Sequence, residues 1–148
     1  MRIAFLTDGI YPYVLGGMQR HSTNMLKYLV LSGVDVTLFH AINGENIPSE
    51  REIKSYLFPK SEPHNLCVVG LSFPSSFKFT GHYFFNSKRY SSLVYSALIK
   101  NNISTYDFIY AKGFSAWRLL KEKKKNSNLP VVGVNFHGFE MWQHAPSF

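Results

Sequence analysis

The feature that most constrains this chain is the order of its first three segments. A six-residue apolar run, Arg2 to Thr7 (RIAFLT), is followed by a polar loop and a stretch of helical periodicity. A second strand-like run, Val34 to His40 (VDVTLFH), comes next. A strand, a helix and a strand in such short compass make a βαβ unit, whose two strands pair in parallel through a right-handed crossover. A parallel sheet needs cover on both faces, so the rest of the chain has to supply further strands and helices for two outer layers.

The remaining sequence supplies them. Met18 to Ser32 reads as a helix with Met25, Leu26, Leu29 and Val30 on one face, continued by Met18 and Ser22, and Gly33 ends it. Ala41 to Asn65 carries Pro48, Pro59 and Pro63 and reads as loop with short elements. Leu66 to Leu71 (LCVVGL) is a third strand, and Phe73 to Gly81 a second, aromatic loop. Tyr83 to Asn101 reads as a helix with Leu93, Ala97 and Leu98 inward, and Tyr106 to Ala111 (YDFIYA) as a fourth strand. Ala116 to Lys125 reads as a helix whose terminal lysines suit the negative end of its dipole. Leu129 to His137 (LPVVGVNFH) is a fifth strand. The expected class is α/β: a Rossmann-like, doubly wound, mainly parallel sheet in three α/β/α layers. Its 148 residues suit one domain, and 45% hydrophobic against 17% charged residues excludes a disordered chain. No solenoid-length repeat and no interdomain linker interrupt it.

Open α/β sheets bind ligands beyond the carboxyl ends of their strands, which selects the loop Asp8 to Gly17 and the segment His137 to Glu140. Gly16 and Gly17 stand immediately before a helix, whose N-terminus carries unpaired N–H groups and about half a positive charge. A phosphate there is well satisfied, and two residues without Cβ atoms let it reach the backbone. The plainer reading is a flexible loop and helix cap without a ligand. LGGMQRH is not GxGxxG, and GxxxxGK[ST] is absent, so neither standard phosphate fingerprint applies. His137, in VNFHGFE, suits a hydrogen bond to a phosphate or sugar hydroxyl, or a proton shuttle; the plainer reading is a histidine satisfied by backbone at a turn. His21 reads as the exposed side of its helix and His40 as a strand end. No HExxH spacing, paired carboxylates or Ser-His-Asp set is present, so no metal site is expected.

Lys plus Arg number 16 against 9 Asp plus Glu, a net charge of +7. That excess calls for an anionic partner: a nucleotide, a phosphorylated sugar, a lipid headgroup or a nucleic acid. No RNP, KH or helix-turn-helix pattern supports the last of these. Phe73 to Tyr90 mixes Phe77, Phe79, Tyr83, Phe84 and Phe85 with Lys78, Lys88 and Arg89, a composition suited to a membrane surface or to loop–helix packing. The run KEKKK, Lys121 to Lys125, is a solvated helix end that adds attraction to anionic lipid. A single cysteine, Cys67, excludes an intrachain disulfide framework and a Cys-based zinc site, and fits a reducing, cytoplasmic setting. Asp8 interrupts the first apolar run before a signal-peptide core forms, and no 18-residue apolar run exists.

Taken in order, RIAFLTDGIYPYVLGGMQRHSTNMLKYLVLSGVDVTLFH, YDFIYAKG and VVGVNFHGFE resemble the N-terminal domain of GT-B glycosyltransferases of the large retaining family four. The segment from Ala41 to Asn102 is the least family-like. The resemblance implies that residues 1–148 form the acceptor-side domain. Gly16 and Gly17 would lie against the diphosphate of a nucleotide-sugar donor. Gly138 and Glu140 would belong to the donor site, and His137, the catalytic candidate, would lie near the transferred sugar. It also implies a glycan or lipid-linked acceptor and no cofactor or metal; peripheral contact with the inner face of the membrane is the expectation that the aromatic-basic stretch Phe73 to Tyr90 adds. The family's Glu-x7-Glu pattern is missing, so the resemblance covers one of two domains, and the 148 residues alone are expected to be inactive. The competing expectation is a non-catalytic, flavodoxin-like α/β domain that binds a phosphorylated small molecule.

Overall fold

The computed structural model describes residues 1–42, 48–74 and 80–136. Among these residues one five-stranded sheet is built from β1 (Arg2–Thr7), β2 (Asp35–Ile42), β3 (Leu66–Ser72), β4 (Phe108–Lys112) and β5 (Val131–Asn135). Its helices are α1 (Gly17–Leu31), α2 (Glu50–Leu57), α3 (His82–Lys100) and α4 (Trp117–Lys123), with 3-10 turns at Ile103–Thr105 and Gly113–Ala116. Every strand pairing is parallel, in the order β3-β2-β1-β4-β5. The chain starts in the middle of the sheet, winds outward to β3, then crosses back to β4 and β5. Winding therefore reverses between β1 and β4, and that is the topological switch point.

Strand alternation divides the core in two. Ala4, Leu6, Phe39, Ala41, Ile109 and Ala111 pack against Tyr90, Val94 and Leu98 of α3 and Leu119 of α4. Phe5, Val36, Leu38 and Leu66 pack against Leu26 and Val30 of α1 and Ile53 and Leu57 of α2. Helices on both faces of a parallel sheet give the three α/β/α layers expected from the sequence. Burying a side chain such as Phe39 or Leu26 contributes roughly 1.5–3 kcal/mol, so the two cores fix the central strands whose carboxyl ends carry the site. β1 occupies the residues read from the sequence, and all its side chains after Arg2 are buried.

The helix ends explain much of the rest. α1 closes in a Schellman motif: the Val34 N–H donates to the Leu29 carbonyl at 3.1 Å and the Gly33 N–H to Val30 at 3.0 Å. Gly33, at φ 78°, takes the left-handed conformation this motif requires. α2 lies within the segment Ala41 to Asn65, expected as loop with short elements. Its start is a capping box in which Ser49 Oγ accepts from the Glu52 N–H and Glu52 accepts from the Ser49 N–H. Leu93, expected inward, is 44% exposed. α3 wedges between the sheet and the Gly113–Ala116 turn, so its buried stripe runs through Asn86, Ser87, Tyr90, Ser91, Val94, Ala97 and Leu98. β3 is an edge strand in which Leu66 alone is fully buried. The helix expected from Ala116 starts as the 3-10 turn and ends at Lys123, whose Nζ donates to the Leu129 carbonyl at 2.7 Å. No helix among the described residues is long and apolar enough to cross a membrane.

Candidate functional site

The switch point holds a cavity of about 310 Å³. Asp8, the first residue beyond β1, and Met18 and Gln19, in the first turn of α1, form one side. Tyr83, Ser87 and Tyr90 of α3 and Phe114 of the turn after β4 form the other. Elements far apart in sequence meet here because the reversal of winding leaves the crossover helices on opposite faces of the sheet.

The loop between β1 and α1 is held by its own hydrogen bonds. Thr7 Oγ1 donates to the Gly9 carbonyl at 2.9 Å, and the Val14 N–H donates to Ile10 at 2.9 Å. The Tyr11 N–H donates to Thr23 Oγ1 at 3.0 Å, which in turn donates to the Gln19 carbonyl at 2.9 Å. The Arg20 guanidinium sits 4.8 Å from the centre of the Tyr11 ring.

The two glycines differ in kind. Gly16 is the residue before the helix, at φ 153° and ψ 163°, a region that is essentially glycine-only. A Cβ there would also run into the Gln19 side chain. Gly17 opens the helix, and a Cβ on it would meet nothing within 4 Å. Folding explains the first glycine and leaves the second unexplained. α1 has no side-chain cap and no acid in its first turn, so its leading N–H groups, beginning at Gly17, have no side-chain acceptor among the described residues.

Charge around this helix start is unusual. Lys112, the last residue of β4, is 1% exposed, and its Nζ lies 2.7 Å from His21 Nδ1. The direction of that hydrogen bond depends on the His21 tautomer. Burial pushes the lysine pKa down while the Asp8 carboxylate opposes the shift. Asp8 is half-buried, and desolvation pushes its carboxyl up against hydrogen bonds from its own backbone, Thr7 and Gln19, and the charge of Lys112. Gln19 Nε2 donates to Asp8 Oδ1 at 3.5 Å. Burial, followed by the Asp8 charge, raises both Tyr83 and the fully buried Tyr90. Tyr90 Oη donates to the Thr7 carbonyl at 2.6 Å, fixing α3 over the end of β1. The cavity thus combines the phenols of Tyr83 and Tyr90 with the Asp8 carboxylate, and Asp8 in turn interacts with the buried Lys112.

Gly16 and Gly17 stand between Val14 and Met18, which line the cavity, and are not themselves in its lining. His137, Gly138 and Glu140 fall outside the described residues. The last described residue before them, Phe136, has its ring 6.4 Å from Phe114, so the chain leaves β5 beside the cavity wall. His21 is exposed on α1 as expected but pairs with Lys112. His40 lies near the end of β2, as expected. It is fully buried in register with Thr7, neither ring nitrogen has a hydrogen-bond partner among the described residues, and burial lowers its pKa to about 4 against a raising backbone contact at Ala41. Among the described residues no cluster of His, Cys, Asp or Glu could hold a metal ion. Asp8, Lys112, Tyr83 and Tyr90 have no motif to mark them. The available signal was position: Asp8 and Lys112 stand at the carboxyl ends of the two strands that flank the switch point.

No family model matches the chain, and no curated protein matches it. Among solved structures it is similar to the C-terminal domain of a hydrogenase from Pyrococcus furiosus, at 16% identity and a TM-score of 0.52 over 92% of this chain and 90% of that one. A second crystal structure of that domain aligns at 17% identity and a TM-score of 0.46, over 90% of both chains. At such identity the first likeness speaks to fold alone, and what it establishes is a Rossmann-like α/β domain with an all-parallel sheet.

Proposed function

We propose that this chain is the acceptor-side domain of a retaining glycosyltransferase of the GT-B type, and that the start of α1 holds the diphosphate of a nucleotide-sugar. The observation that carries the reading is Gly17: a residue with open space around it, at an uncapped helix start, beside a cavity at the switch point. Departure of a nucleoside diphosphate concentrates negative charge on phosphate oxygens, and preorganised N–H donors stabilise that charge without reorganisation. Lys112 beneath the helix start adds to the positive potential. Asp8 accepts a hydrogen bond from an acceptor hydroxyl, and the Tyr83 ring offers a face for a sugar. His137 stays the candidate for contact with the transferred sugar. On this reading the nucleotide is held by a second Rossmann-like domain.

The test is a transferase assay on enzyme containing this domain, following release of nucleoside diphosphate. Gly17→Leu keeps the backbone N–H but places a side chain where the phosphate would sit, and is expected to lower kcat/KM for the donor by roughly 10²-fold, the scale of a charge-stabilising contact. Asp8→Asn is expected to raise the acceptor KM and leave the donor KM in place. Unchanged kinetics for Gly17→Leu would remove the phosphate role. Normal turnover by the 148-residue chain would remove the division into two domains.

A non-catalytic domain binding a phosphorylated small molecule would use the same helix start. The observed strand order is the dinucleotide-type 3-2-1-4-5, whereas flavodoxin-like sheets run 2-1-3-4-5. That alternative therefore loses its fold analogy, and sugar transfer is the reading we prefer.

A further inference from the structure

Next to the cavity, the outer surface of α3 and α4 carries a continuous row of rings. Phe84 stacks edge-on to Trp117 at 4.7 Å, Trp117 lies 5.6 Å from Phe114, and Phe114 lies 6.4 Å from Phe136. The row is not core, since Phe84 is 52% and Phe136 62% exposed. Phe114, Trp117, Leu120 and Phe136 line an open groove of about 380 Å³, with Lys121 and Lys124 also in its lining.

Among the described residues the charge around these rings is predominantly positive. Lys121 Nζ sits 5.7 Å from the centre of the Trp117 ring, and the Arg89 guanidinium lies 5.7 Å from that of Phe85. α3 has no acidic residue in its sequence, while Lys88 and Arg89 on it are exposed. The one acid of α4, Glu122, is taken up by Arg118 at 2.8 Å and Lys125 at 3.7 Å. Exposed aromatic rings rimmed by lysine and arginine match a bilayer interface, where rings enter the headgroup–acyl boundary and cations meet anionic headgroups. A protein groove of this charge would also need an acidic partner, whereas an anionic bilayer supplies both complements at once.

We propose that this face seats on an anionic lipid bilayer, with Phe84, Trp117 and Phe136 at the headgroup boundary and Arg89, Lys121 and Lys124 on lipid phosphates. Phe114 lines both the groove and the cavity, so a docked chain holds the cavity beside the membrane. The proposal stands whether or not the chain transfers sugar.

Vesicle flotation of the full 148-residue chain tests it. Trp142→Phe makes Trp117 the single tryptophan and hence the reporter. Binding is expected to vesicles containing phosphatidylglycerol and not to phosphatidylcholine alone. It should weaken with salt, shift Trp117 emission to the blue and allow quenching by brominated acyl chains. The pairs Phe84→Ser with Phe136→Ser, and Lys121→Glu with Lys124→Glu, should each weaken binding by about tenfold or more, with thermal melts by circular dichroism showing that both stay folded. Three results would each overturn the proposal: no flotation with anionic vesicles, equal flotation with neutral ones, or unchanged binding by the folded variants. So would a dimer in ultracentrifugation that buries Trp117 in the absence of vesicle binding.

Discussion

The two edges of the sheet hold hollows of nearly equal size, about 310 Å³ at the carboxyl edge and 320 Å³ at the amino edge, yet they are finished differently. At the amino edge the chain satisfies its own backbone. Asn65 Nδ2 donates at 2.9 Å to the Val30 and Val34 carbonyls around the end of α1, and Asn101 Nδ2 donates to Ala97 at the end of α3, also at 2.9 Å. The Arg2 N–H donates to the Asp107 carboxylate at 2.7 Å. At the carboxyl edge α1 and α3 start from Gly16 and Gly81 without side-chain caps. α2, which also starts from that edge after β2, has a full capping box, so the open starts are particular to α1 and α3. The lesson is that the amino edge is closed by its own side chains while two of the helix starts at the carboxyl edge keep their donors open.

The largest expected effect bears on how dry the carboxyl edge is. His40 titrates near 6.5 in the unfolded chain and about 4 in the folded one. The unfolded state binds more protons between those values, so stability is full above pH 6.5 and falls as pH drops toward 4. The loss is on the order of 3 kcal/mol. Urea unfolding across that window measures it, and His40→Leu should flatten the dependence. A parent protein with a flat profile would mean a wetter edge than described.

Next in size is the contrast between adjacent glycines. Gly16→Val should destabilise by about 2 kcal/mol, through its glycine-only backbone and the Gln19 side chain. Gly17→Ala should be neutral or stabilising by up to about 1 kcal/mol, because alanine suits a helical position better. Equal costs at the two positions, read from urea midpoints, would erase the distinction on which the site rests. Smaller again are the capped ends. Asn65→Ala is expected to cost about 1–2 kcal/mol through unsatisfied carbonyls, and Ser49→Ala about 1 kcal/mol. Asp8→Asn should go the other way and raise the melting temperature at neutral pH, since it removes a charge that burial disfavours. A stability gain paired with loss of acceptor use would place Asp8 among residues kept for function.

The sequence carried the fold further than the site. Apolar β1 and the glycine after α1 were legible because strand runs and helix stops are local signals. α2 was hidden among three prolines, although Ser49-x-x-Glu52 was there to mark it. The aromatic stretch split in two: helix geometry turns Tyr90 into the core and Phe84 outward, a division that composition cannot express. Asp8 and Lys112 became visible once strand order was known, because a switch point depends on which strands are neighbours. Sequence alone could pair Gly16 with Gly17 but could not tell that only one of them is required by the backbone.

The most direct test of the central claim is a two-dimensional amide NMR titration of the 148-residue chain with inorganic pyrophosphate and with nucleoside diphosphates. The account predicts saturable shifts at the Gly17, Met18 and Gln19 amides, lost in Gly17→Leu while that variant keeps the parent's melting temperature. Shifts confined to the exposed lysines of α4, or a Gly17→Leu variant that binds as the parent does, would contradict it.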